Sequence, residues 1–363
     1  MMQGNILHIF ASTVWGGGEQ YVFDLAKKQI DAGNYVVLLS GKSTVIGEKI
    51  KSLNCRYFVL KHRWHFNPFS IAKVCRIMVR EKIEIVHVHQ FKDAFIAIIA
   101  ATLITSAKRP KIIITRHLVR RGKNNRLYRW MYGRLHKMIF VSELAQKEFL
   151  QGVQVAESKT TVIHNSIAAK PMVTQNINYR ARFELSDDCT LIGFVGRIVS
   201  EKGVELLLDV AKNLNNSNTA FFLAGGGKAE YENRLKNMVV EKQLEHRFFM
   251  LGFMDNPNEM ICQMDIGLLP SIWREPFGLS ILEFMNMGVP VITSNNGAQV
   301  EFVENEKTGL LVNPTVEEIS VALEKLLNDA KMRENIGKNA QMFCKENLNY
   351  DLFFEKIMNV YQQ

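Results

Sequence analysis

The sequence predicts an α/β protein of two domains, each built on a parallel β-sheet. Short β-branched runs alternate with longer amphipathic segments, which is the pattern of successive β-α-β units. A polar stretch interrupts this alternation near the middle of the chain, and the alternation then starts again. With 363 residues, the chain is long enough for two separate cores.

The predicted strands form one series before the polar stretch and a second series after it. Each run is followed by a helical pattern, so helices should cover both faces of each sheet. We expect an N-terminal domain at residues 1–168, a linker at 169–188, a C-terminal domain at 189–345 and a last segment at 346–363. The predicted strands are 7–11, 36–40, 55–59, 85–89, 112–115 and 138–141 in the first series, and 191–195, 220–224, 248–251, 266–269 and 291–293 in the second.

Composition narrows the class of protein. The five cysteines are scattered without paired spacing, which favours a reducing cytoplasm over a disulfide framework or a metal cluster. The N-terminus lacks the basic region of a signal peptide. The longest apolar run, 94–105, is shorter than the roughly 20 residues that a membrane-spanning helix needs. We therefore expect that this chain is not an integral membrane protein.

Charge is divided unevenly between the two halves. Residues 1–170 contain 27 Lys and Arg against 10 Asp and Glu, whereas acids outnumber bases in the remainder. A basic half beside an acidic half indicates an anionic surface or partner on one side only.

Ligands of parallel sheets bind beyond the carboxyl ends of the strands, so the residues after each strand carry most of the functional information. After the first strand, Gly16, Gly17 and Gly18 open a helix and let a ligand approach the backbone, and Glu19 suits the helix N-terminus. The spacing is not that of a dinucleotide fingerprint, and no ribose-binding acid follows the second strand. This pattern argues against NAD binding.

The first strand of the second series is followed by cations, whereas the first strand of the first series is followed by glycines. Gly196-Arg197 is followed by Glu201-Lys202-Gly203, again at a helix start. Arg offers a forked donor and Lys a point charge, which together suit a diphosphate. Gly225 and Gly252-Phe253 follow the next two strands and are placed to line a nucleotide base and ribose.

Two glutamates flank the start of another helix. Glu275 and Glu283 lie on either side of Gly278, where a loop becomes helical at Leu279. The free N–H groups of a helix N-terminus favour a phosphate, and ionised Glu accepts hydrogen bonds from hydroxyls. A nucleotide-sugar carries both kinds of group.

Taken in order, these motifs resemble the signature of retaining glycosyltransferases with the two-domain GT-B fold, specifically family 4, over nearly the whole chain. The resemblance implies two Rossmann-like domains that face each other across a cleft. It implies that 1–168 binds the acceptor, that 189–345 binds the nucleotide-sugar donor, and that 346–363 crosses back to the first domain. Phe284 departs from the pattern, because the family usually has a small residue there.

The resemblance also implies roles for single residues. Glu275 would face the donor sugar, and Glu283 would hold the ribose. His117 follows Thr115 in a Thr-x-His pattern near the transferred sugar, with a structural role as the alternative, whereas His87 and His89 are expected to be structural. The implied catalytic residues are His117, Arg197, Lys202 and Glu275, and the implied donor-binding residues are Gly17, Gly18, Arg197, Lys202, Gly225, Gly252, Phe253, Glu275, Phe277, Gly278, Leu279 and Glu283.

A basic segment, residues 120–134, is rich in Arg, contains three aromatics and has no acid. We interpret it as a helix lying on an anionic membrane, with Trp and Tyr at the boundary. Nucleic acid is the rival partner, but no nucleic-acid-binding motif accompanies the segment. The predicted acceptor or membrane surface comprises Arg120, Arg121, Arg126, Arg129 and Trp130.

The sequence therefore predicts a retaining, metal-independent hexosyltransferase that uses a nucleotide diphosphate sugar. The acceptor would be a glycan or a lipid-linked glycan, as in lipopolysaccharide or polysaccharide synthesis, at the inner face of the cytoplasmic membrane. No Asp-x-Asp motif occurs, so no metal or other cofactor is expected. The alternatives are a nucleotide-sugar epimerase of the same fold and a non-catalytic binder of anionic surfaces.

Overall fold

The computed structural model describes residues 4–13, 15–60, 67–168, 177–214 and 218–363. The chain divides into two compact units. The first comprises Met1–Asn165 and Tyr350–Gln363, and the second comprises Ser166–Asn349. Each unit contains one parallel β-sheet with helices, which confirms the predicted fold class.

The first unit contains a seven-stranded sheet in the order β3-β2-β1-β4-β5-β6-β7, and every neighbouring pair is parallel. All six strands predicted for this half are present. The seventh has only three residues and pairs with β6 at the edge of the sheet. The strands are β1 (Asn5–Phe10), β2 (Tyr35–Gly41), β3 (Arg56–Leu60), β4 (Ile85–Val88), β5 (Lys111–Arg116), β6 (Lys137–Phe140) and β7 (Thr160–Val162).

Helices follow the strands of the first unit, and two separate apolar clusters form its core. Asn67 caps the third helix by accepting from the N–H groups of Phe69 and Ser70, with Pro68 in the first turn. Ser142 caps the sixth in the same way. The helices are α1 (Gly17–Asp31), α2 (Thr44–Ile50), α3 (Pro68–Arg80), α4 (Phe91–Thr102), α5 (Arg126–Arg134) and α6 (Glu143–Leu150).

The second unit contains a six-stranded sheet in the order β10-β9-β8-β11-β12-β13, again entirely parallel. The five strands predicted for this half are present. The sixth, three residues long, was not predicted, because so short a run shows no periodicity. The strands are β8 (Thr190–Val195), β9 (Thr219–Ala224), β10 (Phe248–Gly252), β11 (Ile266–Leu269), β12 (Val291–Ser294) and β13 (Leu310–Val312).

The helices of the second unit begin inside the stretch predicted to be a linker. Residues 169–176 of that stretch lie outside the described residues. Tyr179 is buried, its N–H donates to Gln263 Oε1 at 3.0 Å, and Arg180 pairs with Asp265 at 2.8 Å. Residues 177–188 therefore pack on the second unit and do not form a free connection. The helices are α7 (Tyr179–Arg182), α8 (Val204–Asn213), α9 (Ala229–Glu241), α10 (Asn258–Ile261), α11 (Leu279–Asn286), α12 (Val316–Asn328) and α13 (Ala330–Asn347).

The last helix, α14 (Tyr350–Gln362), belongs to the first unit. Phe353, Phe354 and Ile357 are buried in one of the two apolar clusters of that unit. Gln29 Nε2 donates to the Tyr361 hydroxyl at 3.2 Å, which joins α14 to α1. The chain thus returns to its first unit after completing the second.

In both sheets the strand order reverses direction at one place, between β1 and β4 in the first and between β8 and β11 in the second. Loops that leave adjacent strands on opposite faces create a crevice at such a switch point. Each switch point gathers, within its own unit, some of the residues described next.

Candidate active site

An ion pair lies at the switch point of the second sheet. Lys202, after β8, and Glu275, after β11, approach to 2.6 Å, and both side chains are largely buried. The Ser271 hydroxyl donates to the same carboxylate oxygen, Oε1, at 2.5 Å. Glu275 Oε2 has no partner among the described residues, so it remains available as an acceptor.

Close packing of two loops positions this pair. Lys202 ends the 3₁₀ turn Ser200–Lys202, and the next residue, Gly203, has a φ of +70°. A Cβ at Gly203 would lie 2.1 Å from the Pro270 carbonyl oxygen. Only glycine allows both the backbone conformation and the contact.

Arg197 lies in the same loop but in a different environment. Its side chain is exposed, and within the described part of the chain its guanidinium has no hydrogen-bond or ion-pair partner. The switch point therefore holds one paired cation and one free cation. This charge distribution suits an anionic ligand.

The second predicted anion site is the start of α11. Gly278 precedes the helix with a φ of +105°, and Glu283 is half-buried in its second turn. Phe277 is buried and stacks on Phe302 at 4.6 Å between ring centroids. Its side chain is thus committed to the core, so a ligand at this helix start would meet the backbone of Gly278 and Leu279.

The structure explains the departure at Phe284. This ring lies against two strand glycines, because a Cβ at Gly267 would meet it at 2.6 Å and one at Gly193 at 3.0 Å. Glycine at these two strand positions leaves room for the Phe284 ring. Phe284 is accordingly a buried core residue.

Gly225 and Gly252 form a pair of loop ends, and Gly225 lies against Gly196, whose carbonyl oxygen would be 1.7 Å from a Cβ at Gly225. Gly225 N–H donates to the Gly252 carbonyl at 2.8 Å, and both residues have positive φ. Phe253 follows with 62% of its surface exposed. An exposed aromatic on a fixed loop is a suitable surface for a flat base.

In the first unit, Gly17 and Gly18 are exposed at the first turn of α1, and a Cβ at Gly18 would meet nothing within 4 Å. The predicted glycine loop is therefore open to a ligand.

A chain of hydrogen bonds runs through the switch point of the first sheet. Gln29 Oε1 can only accept, so His8 Nε2, 2.7 Å away, carries a proton, and His8 Nδ1 accepts from His89 Nε2 at 3.2 Å. Gln29 Nε2 donates to Tyr361, whose hydroxyl lies 2.6 Å from His87 Nδ1. We assign Tyr361 as donor there, which leaves His87 Nε2 to donate to Thr115 Oγ1 at 2.7 Å.

Burial keeps these histidines neutral. It lowers the pKa of His8 to about 4 against the opposing effect of Gln29, and it lowers the pKa of His87 and of His89 well below the usual value. His117, after β5, lies 4.7 Å from the Tyr21 ring and 5.8 Å from that of His89. Burial lowers its pKa to about 4 as well.

Two ring nitrogens of this cluster are buried without a partner, His89 Nδ1 and His117 Nε2. In the described ranges, His8, His87 and His89 are the one group with atoms close enough, within 4.8 Å, to hold a metal ion. The hydrogen-bond chain already uses five of their six ring nitrogens. The cluster is thus a neutral polar network at the strand ends.

The basic segment differs from its prediction. Helix α5 begins only at Arg126, and its aromatic side chains point inward. Tyr132 is buried, and Tyr128 and Trp130 pack against the core of the unit. Tyr128 and Trp130 are partly buried in this way, whereas Arg120, Arg121, Arg126 and Arg129 are exposed.

Arg121 lies 3.5 Å from Glu148, so one of these cations has an acidic neighbour. No helix in the described residues is long and apolar enough to span a membrane.

Sequence reasoning missed three residues that build these sites. Ser271 orients Glu275, and Gln29 and Tyr361 join the histidines. Only for Ser271 is there a local signal, since it lies four residues before Glu275 at the end of the same loop.

Two family models match the chain. The model of glycosyl transferases group 1 matches residues 175–343, and that of glycosyltransferase family 4 matches residues 15–170. The chain is a group 1 glycosyltransferase of family 4. The predicted family is thus confirmed, and the two models together cover both units.

Curated relatives agree with this assignment. The glycosyltransferase is 27% identical to an uncharacterized glycosyltransferase of Methanocaldococcus jannaschii over 82% of this chain and 80% of the relative. It is 26% identical to the O-antigen biosynthesis glycosyltransferase WclY of Escherichia coli over 66% of this chain and 61% of the relative.

Solved structures establish the GT-B fold of the glycosyltransferase. A glycosyltransferase from Rickettsia africae superposes with a TM-score of 0.89 at 20% identity over 99% of this chain and 98% of that one. Anabaena HepE in complex with UDP and glucose superposes with a TM-score of 0.87 at 20% identity, over 99% and 100%.

Proposed function

We propose that this glycosyltransferase moves a hexose-type sugar from a nucleotide diphosphate donor to a glycan or lipid-linked acceptor, with retention of configuration. The observation that carries the proposal is the free Arg197 beside the Lys202–Glu275 pair at the switch point of the second sheet. The HepE structures with UDP and with UDP-glucose, which share this fold, support a nucleotide-sugar as the donor.

Stabilisation of the leaving diphosphate is the main catalytic effect in this proposal. Negative charge grows on the diphosphate as the bond to the sugar breaks. Arg197, Lys202 and the first N–H groups of α11 are fixed donors for that charge. They take the place of a metal ion.

Glu275 orients the donor sugar. Its Oε1 is held by Lys202 and Ser271, so Oε2 accepts a hydrogen bond from a sugar hydroxyl. Glu283 takes the ribose hydroxyls, and neutral His117 contacts the transferred sugar. The attacking hydroxyl gives its proton to an oxygen of the departing phosphate on the same face, which retains the configuration.

The acceptor belongs to cell-surface polysaccharide or lipopolysaccharide synthesis. O-antigen WclY and the capsular polysaccharide glycosyltransferase CapM of Staphylococcus aureus are 26% identical to the chain, and they support this assignment. The exposed arginines of the basic segment would place the enzyme against anionic headgroups at the inner face of the cytoplasmic membrane.

Incubation with UDP-, GDP- and ADP-sugars tests the function. We expect one donor series to release its nucleoside diphosphate, faster when a glycan acceptor is present. Conversion of UDP-GlcNAc to an epimer without acceptor would identify an epimerase instead. Absence of turnover with every donor, together with vesicle binding, would leave only a binder of anionic surfaces.

A further inference from the structure

Large apolar side chains are exposed on the two loops that hold Glu275. Ile272 is 51% exposed and Trp273 42% exposed in the loop after β11, and Val300 is 49% exposed in the 3₁₀ turn Ala298–Glu301 after β12. Single exposed apolar residues are common, but several on adjoining loops beside a site indicate a contact surface.

Hydrogen bonds hold both loops in place. The N–H groups of Ile272 and Trp273 donate to the Glu201 carbonyl at 3.0 and 3.1 Å. Asn296 Nδ2 donates to the carbonyls of Ser271 and Ile272 at 3.2 and 2.9 Å. The exposed side chains thus stand on a fixed backbone, which lowers the entropy lost when a ligand binds.

The two loops also meet at Glu275 itself. Ala298 N–H donates to the Glu275 carbonyl at 2.9 Å, and a Cβ at Gly297 would lie 2.5 Å from the Glu275 nitrogen. The apolar surface therefore adjoins the candidate catalytic carboxylate. The donor, as proposed above, is already accounted for by Arg197, Lys202, Glu275 and Glu283.

We propose that Ile272, Trp273 and Val300 form a platform for a sugar ring of the acceptor. A pyranose has an apolar C–H face, which suits an indole. Hydrogen bonds join both loops of the platform to the backbone around Glu275, so the platform adjoins the site. This inference rests on the proposed transfer function.

Variants of Trp273 test the platform. In transfer to a competent glycan acceptor, Trp273→Ala should raise the acceptor KM by roughly 10-fold and change kcat by less than about 2-fold, and Trp273→Phe should restore most of the affinity. Val321→Ala, which truncates a similarly exposed residue on α12, is the matched control. Donor KM and donor hydrolysis in water should stay unchanged in all three variants.

A binding measurement separates the platform from turnover. We expect at least one simple sugar, at millimolar concentration, to quench the tryptophan fluorescence of the wild type but not that of Trp273→Phe. The sugars to be tested are methyl α-D-glucopyranoside, methyl β-D-galactopyranoside and N-acetylglucosamine. If no donor is turned over but this quenching occurs, the proposed transfer fails, whereas the binding of a sugar ring by Trp273 is confirmed.

Four results would overturn the platform. They are an acceptor KM that Trp273→Ala leaves unchanged, a raised donor KM, loss of vesicle binding in Trp273→Ala, and loss of self-association in the same variant. The last three would assign the surface to the donor, to lipid or to a second copy of the chain.

Discussion

The two switch points share a topology but differ in chemistry. In the first sheet the strand ends gather neutral histidines, fixed by hydrogen bonds to Gln29, Thr115 and Tyr361. In the second they gather a buried ion pair and a free arginine. A neutral, polar strand end suits a ligand with hydroxyls, whereas a charged one suits a diphosphate. The two units therefore share a strand topology, whereas the side chains at their switch points differ in charge.

Removal of Arg197 or of Lys202 should have the largest effect on activity per residue. Arg197→Ala should lower kcat/KM by about 10²–10³-fold, because it deletes the charge-assisted contact that we propose Arg197 makes with the leaving group. The variant should fold normally, since the side chain is exposed. Steady-state kinetics with the active donor measure this effect. Wild-type turnover in Arg197→Ala would remove the diphosphate clamp from the mechanism.

Lys202→Ala should lose as much activity and some stability, because it leaves Glu275 buried without its cation. Lys242→Ala, which breaks a Lys242–Asp209 pair in the same unit, is the control and should keep its activity.

The neutral histidines should make the free energy of unfolding depend on pH. Unfolded histidine binds protons near pH 6.5, whereas His8 in the fold does so only near pH 4. The unfolded state therefore binds more protons between these values, so stability falls as the pH drops from 6.5 to 4. His8 alone should contribute on the order of 3 kcal/mol to this loss.

Denaturant unfolding at several pH values measures the loss. His246→Gln, a change at an exposed histidine of the second unit, should leave the profile as it is. A free energy of unfolding that stays constant from pH 7 to pH 4.5 is incompatible with a buried neutral cluster.

Each cation of the basic segment should have a smaller effect, in this case on the binding of the protein to anionic vesicles. Each cation near an anionic leaflet contributes roughly 1 kcal/mol, and the attraction decays over about 10 Å at 0.1 M salt. Because the aromatics point inward, binding to anionic vesicles should disappear at high salt. Sedimentation with vesicles at low and high salt measures this.

Changing Arg120, Arg121, Arg126 and Arg129 to Gln should abolish vesicle binding without affecting donor binding. Changing the exposed Lys27, Lys51, Arg76 and Arg80 to Gln removes the same amount of charge elsewhere in the unit. This control should weaken vesicle binding much less. If the wild-type protein does not bind anionic vesicles at low salt, these cations would instead be assigned to the binding of a soluble anionic glycan.

Chelation should have the smallest effect. Activity in EDTA should stay within a few-fold of the untreated value, because our proposal gives Arg197 and Lys202 the role of a metal at the diphosphate. A complete loss that Mg²⁺ or Mn²⁺ restores would reveal a metal-dependent step.

The sequence was sufficient for all the strands of four or more residues and for the charged loop residues, because both leave local patterns. Arg197, Lys202 and Glu275 follow predicted strands at positions that the topology brings to one edge. The histidine network was not predictable, because Gln29 and Tyr361 are 332 residues apart in sequence and meet only in the folded unit. The inward orientation of Trp130 also escaped prediction, since composition does not distinguish a basic helix packed on a core from one lying on a membrane.

Calorimetric binding of UDP, GDP and ADP in the presence of EDTA tests the central claim most directly, that the charged switch point of the second unit holds a nucleoside diphosphate. We predict that the wild type and Lys242→Ala bind at least one of the three with equal affinity. Arg197→Ala and Lys202→Ala should each bind it at least about 10-fold more weakly. Failure of the wild type to bind any of them, or equal binding by all four proteins, would contradict the claim.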